Sequence, residues 1–287
     1  MSRARLSVSI VLFEPDVAVL ASTLQTLDVA LRHAMRSARL ASCPRLFVIA
    51  NSALSPAVRD LWRDAAKFSF RVELIEGQGN VGYGRGHNLA LAAASSAEPG
   101  IPDERDYFLV LNPDVELEPQ TLEHAIAYLD TQADAVLAVP RVMNERGEQQ
   151  FLCRRYPSLV DLFVRGFLPL RLRRHFDARL ARYELRDVTR EADRTQQPFA
   201  PQIVSGCFML YRSAALRRLD GFDPRYFLYF EDYDLSLRTA DVGRIAYLPW
   251  VCIVHRGGGA ARKGRRHVAM FVASAARFFH RFGWRVF

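Results

Sequence analysis

The sequence predicts an α/β protein: a mixed, mostly parallel β-sheet flanked by helices, with an amphipathic helix at its C-terminus. Two observations carry this. Short apolar runs rich in β-branched residues alternate with helical stripes through the first half, and the polar, glycine-bearing segments fall directly after the apolar runs. Strand and helix alternating at that rhythm argue for parallel pairing with helices on both faces. In such sheets ligands bind beyond the carboxyl ends of the strands, so the loops after the strands are where chemistry is expected.

Leu6 to Phe13 reads as a buried strand, and Asp16 as the cap of a helix whose stripe is Val17, Leu20, Leu24, Leu27 and Leu31. Arg45 to Ala50 is a second strand. Ser55-Pro56 then opens a helix in the favoured N-cap and first-turn arrangement. Phe70 to Ile75 is a third strand, followed by a glycine-rich turn and an alanine-rich helix over Asn88 to Ser96. Tyr107 to Leu111 and Ala135 to Val139 are further strands, with a helix starting at Pro119 between them. After Pro140 the rhythm changes. Asn144 to Gly147 is a turn signal between two strands, and residues 151–201 are arginine-rich and loosely periodic, reading as an inserted or mobile acceptor-side region. Ile203 to Tyr211 reads as a strand and Ala214 to Leu219 as a short helix. Two final strands, Arg244 to Leu248 and Val251 to Val254, end at His255. A main domain over 1–257 and a basic tail over 258–287 are the resulting units.

The 287 residues, half of them hydrophobic, suffice for a sizeable core. The formal charge of +8 is carried by arginine, Lys67 and Lys263 being the only lysines. From Arg256 onward there is no Asp or Glu. Such a balance admits nucleic acid, an anionic membrane surface or phosphate-bearing ligands as partners. No DNA- or RNA-binding module is recognisable, so nucleic acid is not expected. Cys43, Cys153, Cys207 and Cys252 are widely separated and lack metal-type spacing, which fits a reduced cytoplasmic compartment. Leu6 to Phe13 is broken at once by Glu14, Pro15 and Asp16, unlike a signal peptide, and nothing reaches the roughly 18 apolar residues of a membrane span.

Four segments can carry chemistry. In Gly221 to Asp234 an aromatic run meets Glu231, Asp232 and Asp234. Crowded, partly desolvated carboxylates repel and shift pKa, so such a cluster can hold a general base or a cation; it can equally be an acidic helix start complementing the dipole. Asn112-Pro113-Asp114 follows an apolar strand, where Asp114 can ligate a hard cation on a diphosphate or simply make a turn. In Asn80 to Asn88 the glycines at 82, 84 and 86 do not have dinucleotide-fingerprint spacing. A glycine-rich loop opening a helix still offers N–H groups to an anion, with Arg85 and His87 reinforcing it. His255 ends a strand before Arg256 and a run of glycines; it can be structural or a cation ligand, and the tail can close over an anion. At the C-terminus Val268, Phe271, Val272, Ala275, Phe278, Phe279 and Phe282 form one stripe, with Arg277, Arg281 and Arg285 elsewhere. That stripe can pack on the body or lie on an anionic leaflet.

Taken in order, Ser7 to Phe13, Val48 to Ser52, Asn80 to Asn88, Leu111 to Val115, Gly206 to Arg212, Gly221 to Pro224, Phe230 to Leu235 and His255 resemble the family 2 glycosyltransferases, especially the rhamnosyltransferase-like branch. The resemblance covers roughly residues 5–257. It implies a GT-A fold, the Rossmann-like architecture of nucleotide-diphospho-sugar transferases. It also implies an inverting, metal-assisted transferase, with L-rhamnose from dTDP-L-rhamnose as the expected donor. Asn112 to Asp114 would stand at the D-x-D motif, Asp114 and His255 would hold Mg2+ or Mn2+, and Asp232, or else Glu231, would be the base. Leu12, Phe13, Glu14, Asn51, Asn80, Gly82, Arg85, Asn88, Asn112 and Asp114 would contact the donor. The acceptor would be a cell-envelope glycan, lipid-linked saccharides included, met in the cytoplasm or at the cytoplasmic face of the inner membrane. Two positions depart from the pattern. Ala50 stands where the family commonly has a base-contacting Asp, and Asn112 replaces the first acid of D-x-D. These departures leave a second expectation, a lapsed GT-A domain that binds nucleotide or glycan as a scaffold.

Overall fold

In the computed structural model, which describes residues 4–37, 39–40, 43–63, 67–97, 105–257 and 264–287, the alternating apolar runs assemble into one nine-stranded sheet. The first half supplies β1 (Arg5–Leu12), α1 (Val17–Arg36), β2 (Arg45–Ala50), α2 (Pro56–Asp60), β3 (Arg71–Ile75), α3 (Tyr83–Ala97), β4 (Asp106–Leu111), β5 (Val115–Leu117) and α4 (Thr121–Thr131). Then come β6 (Ala135–Met143), β7 (Gln149–Gln150), α5 (Leu159–Phe167), α6 (Leu170–Arg173), a 3-10 turn over 174–176, α7 (Asp177–Tyr183) and α8 (Arg186–Thr195). The chain finishes with β8 (Phe208–Arg212), α9 (Ser213–Arg218), α10 (Glu231–Thr239), β9 (Arg244–His255) and α11 (Gly264–Phe282).

The sheet order is β3-β2-β1-β4-β8-β6-β9-β5, with β7 beside β6. β1, β2, β3 and β4 are mutually parallel, and β6 and β9 run the same way. β8 is antiparallel between β4 and β6, and β5 and β7 are also reversed. Both faces are covered. On β4, Tyr107, Leu109 and Leu111 face a core shared with α1 and α4, while Phe108 and Val110 face α3 and α9. A strand with period-two side chains and two apolar layers has to be apolar throughout, which is what its sequence shows.

Local capping agrees with the sequence. Asp16 accepts from Ala18 and Val19 N–H, and Ser55 accepts from Val58 N–H ahead of Pro56. Several boundaries differ. α3 begins at Tyr83 rather than Asn88, so the glycines at 84 and 86 lie inside the helix. They are small because a Cβ at Gly84 would press on Phe222 and one at Gly86 on Val11. α4 starts at Thr121, after Pro119. The two expected final strands are one, β9, whose pairing with β6 jumps from Pro140–Leu248 to Arg141–Cys252. That bulge keeps one strand running through the Pro249-Trp250 interruption. β8 is shorter than expected, with Ile203 making an isolated bridge to Arg154. The stretch 151–201 folds into α5 to α8, with Leu162, Leu180, Tyr183 and Ala192 buried. Helices this short repeat their apolar stripe too few times to be read from periodicity.

α11 packs on the body through Ala275, Phe278 and Phe279, in a cluster with Tyr183, Tyr226, Phe230 and Tyr233. Arg281 lies inward, against the expectation that it sits off the packing stripe. Its guanidinium bridges Asp223 and Asp234 at 2.8 Å each. Residues 258–263, on which the expected closing tail falls, lie outside the described residues. No helix among the described residues is long and apolar enough to cross a membrane.

Candidate active site

One edge of the sheet gathers the exit of β4, the exit of β9 and the entrance of the antiparallel β8, so three distant segments share one rim. Asn112 N–H donates to the Cys207 carbonyl there, at 2.9 Å. Beside it opens a cleft of about 890 Å³ whose lining includes Tyr83, Asn112, Asp114, Gln150, Arg154, Ser205, Gly206, Tyr229, Glu231, Asp232, His255 and Gly257. The structure thus brings Asn112, Asp114, Glu231, Asp232 and His255 into a single hollow.

One wall is suited to a cation. Antiparallel pairing sets Val115 opposite His255, which places Asp114 against the imidazole. Nε2 of His255 is 3.5 Å from Asp114 Oδ1, and that buried oxygen has no hydrogen-bond partner among the described residues. The Gln150 amide donates to the His255 carbonyl at 3.0 Å, so its Oε1, 3.1 Å from Nδ1, accepts the ring proton. Nε2 is then the unprotonated nitrogen, 3.5 Å from Asn112 Nδ2, and this is the tautomer of a metal-ligating histidine. Gly257 closes over the pair without a side chain; a Cβ there would collide with Asp114 Oδ2 and stand 2.7 Å from Nε2. Tyr83 Oη lies 2.7 Å from the Gly206 carbonyl and 3.0 Å from Asn112 Oδ1, one proton facing two acceptors. Turning the Asn112 amide would satisfy the hydroxyl and offer Oδ1 to the cleft. An orphaned carboxylate oxygen, an imidazole lone pair and a neutral oxygen fit Mn2+ or Mg2+. Among the described residues no third His, Cys, Asp or Glu completes the set. Such an ion would fill its shell from Asn112, a diphosphate or water.

The facing wall carries two carboxyl groups at the start of α10. Tyr229 and Phe230 both sit at positive φ, 70° and 66°, a strained turn that aims Glu231 and Asp232 into the cleft. Asp232 accepts from Gly206 N–H at 3.1 Å and from Tyr233 N–H at 2.9 Å. Burial raises its pKa, while the Arg154 guanidinium and these N–H groups oppose that rise. Glu231 is only 5% exposed and its Oε2 has no partner among the described residues. Burial, and then the charge of Asp232, push it up to about 8. Two neighbouring buried acids resist being charged together, and the N–H groups and Arg154 that favour the Asp232 carboxylate leave Glu231 the one that holds a proton. Arg154 was not singled out from sequence. It is buried, donates to Tyr233 Oη at 2.5 Å, and leaves Nε without a partner among the described residues.

The acid tract therefore divides. Asp234, fully buried, is held by Arg238 at 2.6 Å and by Arg281, and Asp223 by Arg225 and Arg281. Those two acids are structural.

A second corner of the same edge joins the ends of β1 and β2 to the 80–82 turn. Asn51 N–H donates to the Leu12 carbonyl at 2.8 Å, Asn51 Nδ2 to the Gly82 carbonyl at 3.0 Å, and Glu14 N–H to Ser52 Oγ at 2.9 Å. Phe13 and Asn80 are exposed beside it. Asn51 Oδ1 is buried without a partner among the described residues. None of these residues lines the cleft. Arg85 and Asn88 instead hold the 222–224 loop, Arg85 through the Pro224 carbonyl at 2.5 Å and Asn88 through both backbone groups of Phe222. His87 does not reinforce an anion site. It is buried, its Nδ1 lies 2.7 Å from Ser9 Oγ, and burial lowers its pKa to about 3. Missed from sequence were Arg154 and Gln150; Tyr229 and Gly257 lie in segments the sequence marked, the aromatic run before Glu231 and the glycines after His255.

Residues 15–263 match the family described as Glycosyltransferase like family 2. The chain is 29% identical over 182 residues to Rhamnosyltransferase WbbL of Escherichia coli (strain K12), covering 60% of this chain and 61% of that one. It is 27% identical over 203 residues to the N-acetylglucosaminyl-diphospho-decaprenol L-rhamnosyltransferase of Mycobacterium tuberculosis, covering 69% of this chain and 63% of that one. The chain thus spans about three-fifths of the length of these curated relatives. Its fold is similar to that of GalNAc-T7, solved with UDP, GalNAc and Mn2+, with a TM-score of 0.62 at 12% identity, over 97% of this chain and 48% of that one. With a GT-A fold and a match that runs through most of its length, this chain belongs to the family 2 glycosyltransferases, and the curated relatives it resembles are rhamnosyltransferases.

Proposed function

We propose that this protein is an inverting glycosyltransferase that moves a sugar, L-rhamnose from dTDP-L-rhamnose, to a hydroxyl of a cell-envelope glycan carried on a lipid diphosphate. One observation carries the reading. A cation-suited wall of Asp114 and His255 faces a carboxylate pair, Glu231 and Asp232, across one cleft. The donor and acceptor classes rest on the named relatives, two rhamnosyltransferases, one of them acting on a decaprenyl-diphosphate-linked saccharide by its name.

In this reading Asp232 accepts the proton of the acceptor hydroxyl while the oxygen attacks the anomeric carbon from the face opposite the leaving diphosphate. The glycosidic bond forms as the bond to the β-phosphate oxygen breaks, inverting configuration. Glu231 keeps its proton and so spares Asp232 a second neighbouring charge. A divalent cation held by Asp114, His255 and Asn112 would neutralise charge on the leaving diphosphate. The nucleoside lies toward Leu12, Phe13, Glu14, Asn51, Asn80 and Gly82, with Arg85 and Asn88 positioning the loop beside it.

The test is a panel of nucleotide sugars with a polyprenyl-diphosphate-linked acceptor, reading released nucleotide with Mn2+, Mg2+ or chelator. dTDP-L-rhamnose is expected to give the fastest release. A folded protein that releases nucleotide from no donor would refute transfer and favour a scaffold.

A further inference from the structure

We propose that α5 and the N-terminal part of α11 together form a docking face for an anionic lipid surface, with the cleft opening beside it. Phe163 (56% exposed), Phe167 (45%), Val268 (42%) and Val272 (55%) all face solvent. Scattered exposed apolar residues need no explanation, but these are joined. The Phe163 and Phe167 rings lie 6.2 Å apart, and Phe167 meets Phe271 of α11 at 6.0 Å. An apolar groove runs between the two helices, and a shallow apolar trough continues along α11 past Val272.

On the outer surface of these two helices the charges have one sign, Glu231 and Asp232 lying at the inner end of the groove. α11 contains no Asp or Glu, and between Leu159 and Phe176 the only acid is Asp161. Asp161 is buried, capping α5 and paired with Arg179 at 2.7 Å. Arg171 and Arg266 are exposed on the same segments. Exposed apolar side chains on helices that also carry exposed cations and no exposed anion are what an anionic leaflet attracts. A second copy of this chain would set cation against cation, so lipid is the occupant the charges favour. The groove also leads inward: Tyr229, Arg165, Glu231 and Asp232 line both it and the cleft. The inference goes beyond sugar transfer, and it is read by lipid binding, so either can fail alone.

The experiment is co-sedimentation of the full chain with vesicles of phosphatidylglycerol and of phosphatidylcholine, alongside light scattering for oligomeric state. Wild type is expected to bind phosphatidylglycerol vesicles, more weakly in high salt, and phosphatidylcholine poorly. Phe163→Asp with Val272→Asp should weaken binding at least about tenfold, as should Arg171→Glu with Arg266→Glu, which leaves the apolar residues intact. Circular dichroism and nucleotide release with a water-soluble acceptor should be unchanged in both. Failure of wild type to bind, equal binding to both vesicles, or undiminished binding by either variant would overturn the proposal. So would a wild-type dimer that Phe163→Asp breaks, since a second copy would then own the face.

Discussion

His255 Nε2 stands 3.5 Å from Asp114 Oδ1, with the Asn112 amide and the backbone of Gly257 beside them. That oxygen is buried without a hydrogen-bond partner among the described residues, so a cation between it and the imidazole would stabilise the wall. The β5–β9 register creates this pair, and the Gln150 amide fixes the imidazole tautomer.

Gly257→Ala tests the pair without replacing either ligand. The added methyl would occupy the space that a cation needs beside Asp114 and His255. Mn2+-dependent binding of dTDP, followed by calorimetry, is expected to weaken about tenfold or more with folding intact. Unchanged metal-dependent binding would place the ion elsewhere.

The two carboxyls should separate by substitution. Asp232→Asn is expected to lower transfer at saturating donor by at least about 10²-fold and to leave donor binding near wild type. Glu231→Gln mimics the protonated state and should cost less than about tenfold. A larger loss in the glutamine variant would exchange their roles.

Arg154 should set the acid limb of the pH–rate profile. A base works deprotonated, so rate rises as pH climbs through the pKa of Asp232, which burial holds above its usual range and Arg154 pulls back. Removing the cation in Arg154→Gln should move that limb to higher pH; Arg154→Lys should restore part of the shift. A limb that stays put in the glutamine variant would reduce Arg154 to a packing role.

Stability should fall on both sides of a middle pH, from two buried groups. His87 has its folded pKa lowered to about 3 against 6.5 unfolded, so the unfolded chain binds the extra proton and stability is lost as pH drops below 6.5. Glu231 has its folded pKa raised to about 8, so the folded chain holds a proton that the unfolded chain releases above 4.5. That contribution is complete at low pH and disappears as pH rises through 8. Glu231→Gln should therefore raise Tm by a few degrees at pH 8, an advantage that fades toward pH 5. A constant difference across that range would contradict a protonated Glu231.

Arg281 ties α11 to the buried Asp234 and to Asp223. Arg281→Met should cost about 2 kcal/mol, because Asp234 keeps Arg238 but loses half its neutralisation. Chemical denaturation would measure it, and a change within error would show that the bridge contributes nothing net.

Much of this arrangement could be read from the chain. The apolar runs of β1, β2 and β4 gave away their burial on two faces, and Asp16 and Ser55-Pro56 marked helix starts, because caps and period-two burial are local. Asp114, Asp232 and His255 were legible as residues that follow or adjoin apolar segments. Less visible were α5 to α8, whose stripes are too short to repeat, and the single strand β9, whose bulge looked like a break. Arg154 gave no sign among so many arginines, since only the fold buries that one against Tyr233.

By itself the sequence determined the strand and helix alternation, and with it the sheet edge where chemistry collects. Those depend on side-chain period and on backbone preferences within a few residues. Tertiary structure alone decided which acids of the 221–234 tract are clamped by arginines and which face the cleft, and that His87 is a core residue whereas His255 lines the cleft beside Asp114. Desolvation and charge pairing set those roles, and both depend on which distant segments become neighbours, a property no stretch of chain contains on its own.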